Sequence, residues 1–413
     1  MDNTIALKLE NKPTFSPDDE QSYPTYELSD IFRNYFPSYE HKHYVLPSHA
    51  KVLQDIVNCR TDALGGHLNE CDDCGEFDIS YNSCRNRHCP KCQGSQRYQW
   101  VASRELELLP VQYFHMVFTL PDSLLPLSRG NPELCYDLLF KVAAETLQQF
   151  AQERWGGQLG IIMVLHTWGQ TMNEHPHVHC IVTGGILKDD GSDFITSPKN
   201  YLFPVKALSP VFRQKYIEGL QKLKGNNRLS IYSKSDFNTD NGWKRFIKSL
   251  YRHNWVVYAK RPFCDPSNLL RYIGRYINRV AISNHRILSI KEGHVSFSYH
   301  DNRDDKNKVM TLTSDEFIRR FMTHILPKGF RRIRYFGFMV NSLKKNKLAQ
   351  CRKLLKVPNP EQAYIPDVED FLVRQEKKEP VCPHCGVGKM QPVSYQIVLL
   401  IYWLIKSHAP PQE

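Results

Sequence analysis

His175-Pro176-His177-Val178-His179, continued by Cys180-Ile181-Val182, is the stretch on which the fold and the chemistry both turn. Histidine recurs here at every second position. On a β-strand such residues project from one face, while Val178, Cys180 and Val182 point to the other. Neutral imidazole is the commonest metal ligand in proteins. The pattern predicts a buried strand with a divalent-ion site on one face. A chance cluster among the 17 histidines of the chain is the competing explanation. Two strand histidines leave an ion under-coordinated, so a third ligand is expected from a neighbouring strand. His166 ends the preceding apolar run, Gly160-Ile-Ile-Met-Val-Leu-His166-Thr-Trp168, and an antiparallel return would bring it alongside His177 and His179.

Working outward, Tyr113-Phe-His-Met-Val-Phe-Thr-Leu120 reads as a buried strand stopped by Pro121-Asp122, and Trp255-Val-Val-Tyr-Ala259 as another. Glu133 to Gln152 has helical spacing. An aromatic segment, Ile31 to Phe36, precedes a helix through Lys51-Val52-Leu53. Thr313-Ser-Asp-Glu316 is a capping-box signal for a helix through Phe317 to Ile325. Strand, helix, strand pair, strand, helix predicts an α+β domain around a central antiparallel sheet with flanking helices. At 413 residues the chain is long for one core. The expected division is a zinc-binding module over 1–104, the domain with the histidine strand over 105–300, and a basic C-terminal region over 301–413. Arg331, Arg332, Arg334, Lys344, Lys345 and Lys347 cluster in the last of these.

Cys71-x-x-Cys74 and Cys89-x-x-Cys92 are two knuckles in a Cys-, Gly- and Arg-rich stretch that lacks helical periodicity. Two such knuckles close a tetrahedral Zn²⁺ site, which supplies folding free energy to a module too small for its own core. Cys84 and His88 lie between them as alternates. Arg85, Arg87 and Lys91 in the same stretch suit phosphate contact; a structural knuckle that touches nothing is the plainer reading. Cys382-Pro-His-Cys385 has no matching pair nearby. It reads as a degenerate half-ribbon, or as a pair that recruits His384 or His408.

Asp265-Pro266 starts a helix expected to run to about Ala281. Tyr272 and Tyr276 fall one turn apart on the flank of its apolar face, with Arg275 and Arg279 beyond them. Tyrosine, with a pKa of about 10, is a weak nucleophile at neutral pH. It becomes effective when a divalent cation polarises a phosphate electrophile. The plainer reading makes both tyrosines core-edge residues.

The charge balance is basic, 54 Lys and Arg against 43 Asp and Glu, which points to a polyanionic partner, nucleic acid ahead of membrane. The longest apolar run, Ile397 to Ile405, is too short to span a bilayer. The polar, acidic start carries no export signal. A cytoplasmic protein with reduced, metal-binding cysteines is expected.

Taken in order, several motifs resemble the HUH (His-hydrophobic-His) endonucleases, and more closely the rolling-circle two-tyrosine transposases of the insertion-sequence ninety-one family. They are Ala63-Leu-Gly-Gly-His67, Ser83-Cys-Arg-Asn-Arg-His-Cys-Pro-Lys-Cys92, Tyr113-Phe-His-Met-Val-Phe-Thr-Leu-Pro121, Val164-Leu-His-Thr-Trp-Gly-Gln170, the histidine strand, Tyr272-Ile-Gly-Arg-Tyr276 and Arg279-Val-Ala-Ile-Ser283. The resemblance implies that His177 and His179 are the metal pair and that Tyr272 and Tyr276 are the nucleophiles. It implies Mg²⁺ or Mn²⁺ at the catalytic centre and single-stranded DNA at element ends as substrate. A plasmid or phage replication initiator would share this chemistry. A non-catalytic zinc-ribbon regulator and a metallohydrolase are the readings from other classes. The metallohydrolase lacks a general base on the histidine face, since Glu174 points to the opposite side of the strand.

Overall fold

The computed structural model describes residues 24–92, 100–101, 103–231, 236–260, 280–301, 303–359 and 381–393. Helices α1 (Leu28–Lys42) and α2 (Pro47–Val57) open this region and pack through Leu28, Ile31, Phe32, Leu53 and Ile56. An antiparallel hairpin follows, β1 (Gly66–Cys71) and β2 (Phe77–Tyr81). Every residue of β2 is exposed, so this ribbon has no core of its own.

The central sheet begins at β3 (Tyr113–Thr119). Helix α3 (Pro132–Trp155) leads to β4 (Gly157–Trp168) and β5 (Glu174–Lys188), which pair antiparallel, and β6 (Phe194–Thr196) pairs with β5. Helices α4 (Val205–Gly225) and α5 (Asp240–Leu250) precede the short strand β7 (Val257–Ala259), which pairs with β3. A separate meander, β8 (Ile287–Lys291), β9 (His294–Asp301) and β10 (Lys306–Thr313), runs into α6 (Ser314–Met322). The Thr313 hydroxyl accepts the Glu316 amide, as the capping signal predicts. Strand β11 (Ile333–Gly337) then pairs with β4, α7 (Lys344–Leu354) follows, and β12 (Met390–Pro392) pairs back onto β1. The central sheet has the order β11-β4-β5-β3-β7.

Alternation along the strands sorts the side chains of this sheet into two faces. Phe114, Met116 and Phe118 of β3, Ile161, Met163 and Leu165 of β4, and Val178, Cys180 and Val182 of β5 share one cluster with α3, α4 and α5. The other face carries Tyr113, Ile162, Val164 and Ile181 at one end, packed against Phe338, Leu348 and Cys351 around α7. At its other end stand His115, His166, His177 and His179. The α1–α2 pair, the meander and α6 form a further cluster in which the Phe32 and Phe321 rings lie 5.0 Å apart.

Strand β11 and α7, both beyond residue 300, complete the central sheet and cover half of one face, and β12 returns to the N-terminal hairpin. The basic cluster is partly internal. Arg332 is half-buried, and loss of solvent around its guanidinium, with the neighbouring Arg87 charge, lowers its pKa to about 10. Arg334 pairs with Asp137 and lies over the Phe140 and Phe330 rings. Lys344 pairs with Glu107 and lies over the Tyr335 ring. The helix expected from Asp265 lies, apart from its last two residues, outside the described residues, as does the apolar run Ile397 to Ile405.

Gly337 ends β11 at φ +61°, where a Cβ would lie 1.8 Å from the Leu159 carbonyl oxygen. Gly337→Ala combines left-handed strain with that clash, so β11 should separate from β4 and stability should fall by ~2 kcal/mol or more. An unchanged urea midpoint would contradict this. His324 bridges the Thr167 hydroxyl and the Met172 carbonyl. Burial holds its pKa down to about 4, below the ordinary 6.5. The unfolded chain therefore takes up a proton near pH 6.5 that the folded chain refuses until near 4. Stability is fully present above 6.5 and falls as pH drops towards 4, by up to about 1.4 kcal/mol per pH unit. Urea unfolding of His324→Gln at pH 7 and pH 5 should show a smaller difference between the two than the wild type shows.

Candidate metal centre and groove

The antiparallel ladder places His166 directly opposite His177, with Val164 opposite His179. Their face is the uncovered end of the sheet. His166, His177 and His179 each offer a ring nitrogen, all within 4.8 Å of one another, and all three side chains are buried. The His177 Nδ1 lies 2.6 Å from the His175 carbonyl oxygen. A carbonyl only accepts, so Nδ1 carries the proton and Nε2 keeps its lone pair. That Nε2 is 3.1 Å from the His179 Nε2, which is 3.1 Å from the His166 Nδ1. Two nitrogens bound at right angles to one ion, each ~2.1 Å away, would stand roughly 3.0 Å apart. The three rings thus fit one divalent ion.

Two neighbours fix the rings. His166 stacks on Trp168, centroids 4.8 Å apart. The His179 Nδ1 meets the His115 Nε2 at 2.9 Å. Burial lowers the His115 pKa to about 3, with the Lys260 and His177 charges adding to the effect. His115 therefore stays neutral and sets the tautomer of His179, the usual task of a residue behind a metal-binding imidazole. Sequence reading missed it. The available signal was its place in Tyr113-Phe-His-Met-Val, where period two puts His115 and Val117 on one face of a buried strand.

These histidines floor a cavity of about 1140 Å³. Its walls include Tyr258 and Lys260, at β7 of the same sheet, and Arg286, Tyr299 and Arg303 from the meander and the turn before it. Asp301 in the same wall binds Arg303 and Lys308, at 2.8 and 2.9 Å, and these partners hold its carboxyl well below the usual range. Aromatic rings and cations facing a metal-type centre suit a chain that presents bases and phosphates. Tyr272, Tyr276, Arg275 and Arg279 lie outside the described residues.

The structure corrects the zinc assignment. Cys71 and Cys74 do not meet Cys89 and Cys92. Cys59, Cys84, Cys89 and Cys92 form one cluster, and Cys71, Cys74, Cys382 and Cys385 a second. The reason is the β1–β2 ribbon. Cys71 and Cys74 sit at its turn, whereas Asn82 at its open end leads to the other knuckle. Five strand steps at ~3.3 Å separate the two ends by roughly 16 Å. Cys59, just after α2, was missed because it stands alone in the sequence. Cys84 joins the first cluster and His88 does not; burial and the Arg332 charge press the His88 pKa down to about 3. In the first cluster the Cys92 sulfur lies 3.5 Å from that of Cys59 and 3.6 Å from that of Cys84. Four sulfurs ~2.3 Å from one tetrahedral ion would be roughly 3.8 Å apart, whereas a disulfide needs ~2.05 Å. The donor set fits zinc.

Of the basic residues in this module, Arg87 donates to the Phe330 carbonyl and Lys91 pairs with Glu27 at 2.5 Å. Arg85 lines a surface cleft with Arg60, His67 and Tyr81.

Two families match the chain in succession. One described as "Transposase zinc-binding domain" matches residues 31–120. One described as "Putative transposase" matches residues 160–347. A protein named "Putative transposase y4qJ", from Sinorhizobium fredii (strain NBRC 101917 / NGR234), is 44% identical over 375 residues, covering 88% of this chain and 94% of that protein. The "Transposase for insertion sequence element IS801" of Pseudomonas savastanoi pv. phaseolicola is 31% identical over 335 residues, 78% of each chain. No solved structure matches. With relatives of this identity along most of its length, and with a zinc-binding transposase domain ahead of the transposase region, the chain belongs to the IS91 family of transposases, enzymes that act on DNA.

Proposed function

We propose that this transposase nicks and rejoins single-stranded DNA at the ends of its insertion sequence, in rolling-circle transposition, by means of 5′-phosphotyrosine intermediates on an HUH endonuclease domain. The observation that carries this reading is the convergence of His166, His177 and His179 at the open end of the sheet, beneath a groove walled by aromatic and cationic side chains. His177 and His179 are the HUH pair and His166 completes the set. When bound there, Mg²⁺ or Mn²⁺ would polarise the scissile phosphate and neutralise charge that develops on it. His115 and the His175 carbonyl hold the imidazoles in the ligating tautomers. The groove cations hold the strand through its phosphates, and Tyr258 and Tyr299 offer faces for bases.

The nucleophiles are Tyr272 and Tyr276, on the evidence of the Tyr-Ile-Gly-Arg-Tyr motif and its helical spacing. The Tyr272 hydroxyl attacks phosphorus and gives its proton to solvent. The P–O3′ bond breaks, the 3′ oxygen leaves and is protonated, and the 5′ phosphate stays esterified to the tyrosine. A later attack by a DNA 3′-hydroxyl reverses these events and joins a new strand. Tyr276 cuts the second end while the first is still held. Arg85, Arg275 and Arg279 add phosphate contacts, and zinc in the Cys59 cluster holds the N-terminal module. The enzyme would act in the cytoplasm, beside its DNA. No helix among the described residues is long and apolar enough to cross a membrane.

Incubation with single-stranded end DNA and Mn²⁺, followed by a denaturing gel, should reveal a covalent protein–DNA adduct. His177→Ala should lower adduct formation at least ~100-fold, an effect typical of losing a group that stabilises transition-state charge, while DNA affinity stays within about threefold. Excess chelator should stop the reaction reversibly, and full nicking in chelator would rule the metal out. The double change Tyr272→Phe and Tyr276→Phe should give no adduct. Each single change should still permit one cleavage without strand transfer. Peptide mapping that found the phosphate on neither residue would end the mechanism.

A further inference from the structure

We propose that Cys71, Cys74, Cys382 and Cys385 bind a second zinc ion, separate from the one suited to the Cys59 cluster, and that this ion clasps the C-terminal segment onto the N-terminal hairpin. The matched zinc-binding domain ends at residue 120 and the matched transposase region at 347, so Cys382 and Cys385 lie outside both. Cys71 and Cys385 are 314 residues apart in sequence, yet their sulfurs are 3.8 Å apart, and those of Cys74 and Cys382 are 3.7 Å apart. Sulfurs ~2.3 Å from one tetrahedral ion stand roughly 3.8 Å from each other. These distances are far outside disulfide length.

The two halves are built alike. Each reads Cys-x-x-Cys-Gly, with the glycine left-handed, Gly75 at φ +72° and Gly386 at +70°. Amides of Asp73 and Cys74 donate to the Cys71 sulfur at 3.5 and 3.4 Å. Those of His384 and Gly388 donate to the Cys382 and Cys385 sulfurs, both at 3.3 Å. Amides aimed at sulfur favour thiolate, the ligating form. The backbones also fit closely. Lys389 donates to the Asp72 carboxylate at 2.7 Å, and β12 pairs with β1. A Cβ on Gly388 would lie 2.5 Å from the Cys71 sulfur.

This junction has almost no apolar burial to hold it. Strand β2 is exposed throughout and β12 is three residues long. A two- or three-strand ribbon of that size is marginal in water. Metal ligation supplies the missing free energy.

Metal analysis of the full-length protein should give two zinc ions per chain, and the double change Cys382→Ser and Cys385→Ser should give one. One ion in the wild type, or two in the variant, overturns the site. The clasp has its own readout, which needs no variant. Hydrogen exchange of the wild type before and after zinc removal should show the amides of Asp72, Lys389 and Val393, which donate across the junction, losing at least tenfold in protection. Equal protection in both states overturns the clasp.

Discussion

His166 faces His177 across the β4–β5 ladder, and that pairing is what the rest of the molecule serves. Sheet register is strict because a slip of one residue turns every side chain to the opposite face. Here a slip would bury the imidazoles among α3 and α4 and turn Val178 and Cys180 to the groove. Burial on both sides prevents it. The helices take the apolar face, α7 takes half of the other, and the histidines remain where neither reaches. The candidate metal centre is thus a consequence of incomplete coverage, with period two deciding which residues occupy the gap.

Metal-type clusters do different work in the two parts of the chain. The histidine cluster lies on a sheet already held by a large core, so an ion there would contribute chemistry more than stability. The N-terminal hairpin has exposed strands and sulfur clusters at both ends. Ligation there substitutes for the apolar contacts that a ribbon so short cannot make.

Much of this was legible in the residues. The strand pair, the place of His166 beside it, the long helix before β4 and the Thr313 cap all follow from periodicity and local hydrogen bonding. The sulfur partners were not legible. Cys59 stands alone in sequence, and Cys382-x-x-Cys385 finds its mate only after the whole chain has folded back. The nearness of Cys89 to Cys74 in sequence suggested a shared site, and the length of the intervening ribbon forbids it. The meander β8–β10 was hard to read because its apolar alternation is short, with only Val295 and Phe297 of β9 buried as apolar residues. Of the charge cluster after residue 330, Arg332 is half-buried, and Arg334 and Lys344 meet rings and carboxylates within the fold. Charge counts do not distinguish these fates.

The place of β11 at the edge of the central sheet has a consequence for synthesis. Ile333 pairs with Val164, so β4 leaves the ribosome long before its outer neighbour exists. Until then β4 is an unpaired apolar edge, the kind of surface that recruits other strands. Non-local pairing of this sort is slow to form and exposed to aggregation meanwhile. A nascent or prematurely ended chain that stops short of residue 337 would therefore be a substrate for chaperones and proteases, and the amount of finished enzyme in a cell would be set partly by how many chains survive that interval.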